Sequence, residues 1–124
     1  MNRNTTRSYK DPIVWQKGIA LAKHVYQLTT NFPSAEKFGL VAQMRRAAVS
    51  IPSNIAEGQA RRKTGEFIQF ISHAEACLAE LDTQLILSIE LGFTRTKGAD
   101  VAFELISELR RMLNLLRRKL VARA

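Results

Sequence analysis

Apolar residues recur along most of the chain at spacings of three and four, the period of helices laid against a core. Trp15, Ile19, Ala22 and Tyr26 form one row, and Val14, Gly18, Leu21, Val25 and Leu28 run beside it. Lys17, Lys23, His24 and Gln27 fall outside this wide face. Asp11-Pro12 predicts the helix start, an acidic N-cap followed by a proline whose missing N–H is not needed there. Asn31-Phe32-Pro33 predicts its end, because a residue before proline avoids the α region. Ser34 is the expected cap of a second helical segment, interrupted at Gly39, with a main body from Leu40 to about Arg61–Lys63. Pro52 lies inside that body and predicts a helix kinked or split there. Thr64 is the expected cap of a third helix, whose row is Phe67, Ile71, Ala74, Leu78, Leu81, Leu85 and Ser88, with Gly92 as a left-handed terminator. Thr94 or Thr96 opens the last helix, with Val101, Leu105, Leu109, Met112, Leu116 and Leu120 as its row. Glu104 and Glu108 come early in it and Arg117, Arg118 and Lys119 late, the order that suits the helix dipole. Four helices with short connections and no strand-like alternation predict an all-α, up-down four-helix bundle over residues 11–124, preceded by a basic arm at residues 1–10.

The second helix breaks the usual amphipathic form. In QMRRAAVSIPSNIAEGQARR, Gln43 to Arg62, the residues Gln43, Arg46, Ser50, Asn54, Glu57 and Arg61 make one polar stripe. Val41, Met44, Ala47, Ala48, Val49, Ile51, Ile55 and Ala56 cover nearly all the rest. Two readings follow. The stripe is an internal network, with Arg46 and Arg61 paired to Glu57 or to acids of the third helix and Asn54 serving a backbone group freed by Pro52. Or it lines a functional surface or a subunit contact. The mid-segment positions of Arg46, Asn54 and Glu57 predict poor exposure and internal hydrogen bonds, with Arg61 nearer the surface.

Charge narrows the function. Lys and Arg number 19 against 11 Asp and Glu, a formal net charge of +8 on 124 residues. So basic a small domain suggests a polyanionic partner. The cations cluster at Arg3, Arg7 and Lys10, at Arg45 and Arg46, at Arg61, Arg62 and Lys63, and at Arg110, Arg111, Arg117, Arg118, Lys119 and Arg123. The clusters at Arg61–Lys63 and Arg110–Lys119 are the candidate nucleic-acid-binding residues, acting on phosphates; no RNP-type aromatic pattern or base-stacking platform is evident. A solvated surface that keeps the chain soluble is the plain alternative.

The Gln43–Arg62 stretch resembles the signature of the 23S rRNA intervening-sequence protein family, also called the four-helix bundle protein family. Val14-Trp15-Gln16-Lys17, Phe32-Pro33, Phe38-Gly39-Leu40, Glu66-Phe67 and Glu80-Leu81-Asp82-Thr83-Gln84-Leu85 are similar to further family landmarks, so the resemblance runs from about Tyr9 to Phe93. Glu75-Ala76-Cys77 and Asp82 depart from it mildly. The resemblance implies a four-helix bundle protomer in a ring-like homo-oligomer, a pentamer. A related bundle, the accessory variability protein of diversity-generating retroelements, is basic and pentameric and binds nucleic acid and a reverse transcriptase. The family brings no catalytic residues; Arg46, Asn54, Glu57, Gly58 and Arg61 are carried over as signature positions only.

Other chemistry is thin. No GxxxxGK[ST], GxGxxG or GxSxG occurs. His73, Cys77 and Glu80 share a helical face, a weak metal signal that a core-edge histidine beside a buried free cysteine explains as well. A single cysteine excludes an intrachain disulfide. The opening MNRNTTRSYKD is polar and basic, and no run approaches the roughly 18 apolar residues of a membrane span. The expectation is a cytoplasmic, non-enzymatic, oligomeric bundle without cofactor or metal that binds structured RNA. The alternative is a protein-interaction scaffold, such as an accessory subunit of a reverse transcriptase or another nucleic-acid enzyme.

Overall fold

The computed structural model describes residues 12–123. The expected basic arm at residues 1–10 and the Asp11 cap lie outside them. The fold is all-α: α1 Pro12–Thr29, a single 3-10 turn Ser34–Glu36, α2 Leu40–Gln59, α3 Thr64–Glu90 and α4 Thr96–Arg123. No strand occurs among the described residues, and no helix there is long and apolar enough to cross a membrane.

Local chemistry explains the boundaries. Pro12 takes the first position of α1, where its missing N–H is harmless. At the other end the hydroxyls of Thr29 and Thr30 donate to the carbonyls of Val25 and Tyr26, both at 2.8 Å, the second being an acceptor that the ending helix leaves open. The Glu36 carboxylate accepts the Leu40 N–H at 3.1 Å and so caps the start of α2. Gly92, at φ +78°, closes α3 as expected. The N–H of Phe93 reaches the Ser88 carbonyl and that of Gly92 the Ile89 carbonyl, the paired bonds of a Schellman ending. Phe93 then packs on Phe32, ring centroids 5.7 Å apart, tying the α3–α4 turn to the α1–α2 turn. Lys63, rather than Thr64, occupies the N-cap of α3, and it caps with no side-chain bond.

Consecutive helices pack together, and α1 also packs on α4, enclosing one core. Leu21, Met44, Ile51, Ile55, Ile71, Leu78, Leu81, Leu85, Ile106, Leu109 and Leu113 are fully buried in it. Contacts pair residues in opposite sequence order: Gly18 with Pro52 and Thr29 with Arg45; Gly58 with Phe70 and Met44 with Ser88; Ser72 with Arg117 and Asp82 with Arg110; Lys17 with Glu108 and Leu28 with Gly98.

α2 runs unbroken through Pro52, so the segment is not split there. Small residues bring α2 close to both neighbours. A Cβ on Gly18 would lie 3.2–3.4 Å from the Cβ, Cα and N of Pro52, so α1 and α2 nearly touch at backbone level. A Cβ on Gly58 would lie 2.9 Å from both Phe67 Cδ1 and Phe70 Cβ.

The α3 row is as expected, buried from Ile71 to Ser88. The α4 row is corrected. Its buried side is Ala99, Ala102, Ile106, Leu109, Leu113 and Leu120, whereas Val101 is exposed and Leu105, Met112 and Leu116 are only partly buried. The buried side begins with small residues, Ala99 and Ala102, which the spacing of the larger aliphatics passes over.

These close approaches set the first prediction. Gly58→Ala should lower stability by about 1–3 kcal/mol in thermal or urea melts, because the Phe70 Cβ is fixed to its backbone and cannot retreat as a flexible side-chain end could. Gly65→Ala, with open space around its Cβ position, should hold or raise stability.

Candidate functional site

The polar stripe of α2 stays on one face, but that face is the solvent side. Gln43, Arg46, Glu57 and Arg61 are exposed and Ser50 and Asn54 are half-buried. The expectation of a poorly exposed Arg46 and Glu57 is therefore overturned. With α1 on one flank and α3 on the other, α2 opens to water along Gln43, Arg46, Val49, Ser53 and Glu57, and the charges of the stripe sit there because burial would penalise them. Among the described residues no ion pair joins Arg46 or Arg61 to Glu57 or to the acids of α3. The stripe bonds to its own helix instead. Ser50 donates to the Arg46 carbonyl at 2.8 Å, and Asn54 Nδ2 donates to the Ser50 carbonyl at 2.7 Å. Asn54 thus does not serve the carbonyl that Pro52 leaves free, which by the i−4 rule belongs to Ala48.

Six of the eight candidate basic residues, Arg61, Arg62, Lys63, Arg117, Arg118 and Lys119, lie toward the same end of the molecule, while Arg110 and Arg111 sit midway along α4. Arg61, Arg62 and Lys63 sit exposed on the α2–α3 turn. Arg117 bonds Ser72 and pairs with Glu75 in the early turns of α3, which carries the last turns of α4 to that end. Arg118 and Lys119 are exposed there, without an ion pair among the described residues. Arg61 lies over the Phe70 ring, its guanidinium carbon 4.7 Å from the centroid. Further along α4, Arg111 is exposed and Arg110 reaches Asp82 at 3.6 Å. Arg110 and Arg117 thus have acidic partners, and the other six candidates have none among the described residues.

A second feature lies toward the opposite end and was not legible in the sequence. An open groove of about 590 Å³ runs between the end of α1, the turn before α2 and the first turns of α2. Tyr26, Phe38, Val49, Lys37, Arg45 and Arg46 are among its walls. Arg45, which the stripe leaves out, stacks 4.5 Å over the Tyr26 ring, and its guanidinium donates to the Thr29 hydroxyl at 3.0 Å and the Tyr26 carbonyl at 3.3 Å. It supplies the cation that the last turn of α1 itself lacks. Tyr26 had been placed on the core row of α1; it is 43% exposed. The available signal was Lys37-Phe38-Gly39, a large aromatic set between a cation and a helix break.

His73, Cys77 and Glu80 do not form a metal site, and no group of three such side chains among the described residues could hold a metal ion. Burial raises the pKa of the Cys77 thiol, the Glu80 carboxylate adds to the rise, and the Ser50 hydroxyl partly offsets it.

In comparisons with known proteins, the family model for 23S rRNA-intervening sequence proteins matches residues 10–115. No curated protein matches the chain.

Two predictions follow from the exposed stripe and the shielded thiol. Glu57→Ala should change stability by no more than about 0.5 kcal/mol in thermal melts, as expected of a surface site without a partner. Cys77 should alkylate slowly at neutral pH, with a pH midpoint above that of a free cysteine, because the thiolate is the reactive form. Glu80→Gln should lower that midpoint and Ser50→Ala should raise it, read from iodoacetamide rates against pH.

Proposed function

Because the chain belongs to the 23S rRNA-intervening sequence protein family, we propose that it is a non-enzymatic RNA-binding protein of the cytoplasm, an up-down four-helix bundle that assembles into a homopentamer. The observation that carries the proposal is the gathering of Arg61, Arg62, Lys63, Arg118 and Lys119 toward one end, exposed and free of ion pairs among the described residues. Cations arranged this way meet phosphates and carry little sequence preference. The opposed helix pairings support the up-down arrangement, and the Pro52 ring against the Ala48 carbonyl supports a bend in α2.

Assembly multiplies the effect. Five chains at +8 each would present about +40, and weak patches linked in one particle act together. Ile19, Ile86, Leu87, Leu91 and Val101, all exposed, are the apolar surface such an assembly would cover. The same surface favours a second reading, an accessory subunit of a reverse transcriptase or another nucleic-acid enzyme.

Anisotropy titrations with a 23S rRNA fragment and with a random RNA duplex, each at low and moderate salt, test the proposal. Both should bind at low salt and weaken steeply with added salt. Replacing Arg61, Arg62 and Lys63 together by Ala should weaken binding and reduce the salt slope by about one per lost phosphate contact, with the thermal melt unchanged. Light scattering should give a multiple of the monomer mass. Failure to bind either RNA at low salt would overturn the proposal.

A further inference from the structure

The groove between α1 and α2 has a composition that phosphate contact alone does not explain. Phe38 is 88% exposed, the most exposed of the large apolar side chains in the described structure. The ammonium of Lys37 lies 5.5 Å from its ring centroid, and at this exposure most of the ring faces solvent. Tyr26 across the groove has its ring under Arg45, and this planar stack is anchored by bonds to the end of α1. Arg46 is exposed and carries no ion pair among the described residues. No acidic side chain lines the groove.

An open aromatic face beside three cations matches a ligand with both flat rings and closely spaced negative charge. A duplex offers the charge but hides its rings in the stack. A single strand offers both, because its bases are free to lie on an aromatic side chain while the backbone passes cationic groups. We propose that this groove binds a single-stranded segment of nucleic acid, one base stacking on Phe38 and the flanking phosphates meeting Lys37 and Arg46. The inference rests on the RNA-binding reading and adds a second, chemically different site, toward the end of the molecule opposite the Arg61–Lys63 turn.

The test uses the full chain and labelled oligonucleotides of about ten nucleotides, within the usual site size for single strands. Oligouridine and oligothymidine report whether the sugar matters, and a duplex of the same length is the control. Phe38→Ala should weaken single-strand binding about tenfold, within the range of a lost stacking contact, and leave duplex binding unchanged. Phe38→Leu, which keeps an apolar side chain but not a flat ring, should lose as much, and Phe38→Trp should restore binding. Arg46→Ala should weaken binding and lower the salt slope. The Arg61, Arg62 and Lys63 triple replacement should affect the duplex more than the single strand.

If both Phe38→Ala and Phe38→Leu bind oligouridine and oligothymidine like the wild type, the groove proposal fails while the RNA-binding reading stands. If these variants instead lower the mass seen by light scattering and leave single-strand binding intact, the groove holds a second copy of the chain and the proposal is overturned. If the wild type binds neither single strand nor duplex at low salt, both readings fail together.

Discussion

The architecture depends on how closely the second helix approaches its neighbours. Gly18 lets α1 come almost to backbone contact with Pro52, and Gly58 lets the Phe67 ring and the Phe70 Cβ lie on α2 near its C-terminus. Contacts this close leave no room for added methyl groups, and they bury α2 on two flanks. Pro52 belongs to the same arrangement. It gives up a helix hydrogen bond, yet it is buried and presents the atoms that meet Gly18. Ala47 and Ala48 extend the small-residue character of the helix toward its start.

That burial decides where charge can go. Held on two flanks, α2 opens to water along Gln43, Arg46, Val49, Ser53 and Glu57, with Ser50 and Asn54 half-buried at the edge of that face. Elsewhere the charges divide into two groups. Some tie helices together, as Lys17 does with Glu108 at 2.7 Å and Arg117 with Glu75. Others, such as Arg62, Lys63, Arg118 and Lys119, remain uncommitted within the described chain and account for much of its positive field. Exposed pairs of the first group contribute little to stability individually, so the second group matters more for what the molecule meets than for how it holds together.

Features governed by neighbours in sequence were legible from the residues alone. Pro12 at a helix start, Gly92 at a helix end and the Ile71–Ser88 row each follow from local backbone preference or from period. Features governed by neighbours in space were not. A narrow polar stripe has the same helical pattern whether it faces a partner helix or water, so the exposure of Arg46 and Glu57 could not be read from spacing. The α4 face was misplaced because its start is marked by the small residues Ala99 and Ala102, which a row drawn through the larger aliphatics does not include. The groove draws Tyr26, Phe38 and Arg45 from a helix end, a turn and the next helix, and no single stretch of sequence contains it.

The last turns of α4 give the molecule an uneven resistance to opening. From Asn114 to Arg123 the one buried side chain is Leu120, Leu116 is partly buried against the core, and the polar cross-helix tether is Arg117 on Ser72 and Glu75. A segment held so lightly exchanges its amide protons through fraying rather than through global unfolding. Arg118 and Lys119 ride on it, so they can shift to follow a curved backbone of charges while the core around Leu81 and Ile106 stays closed.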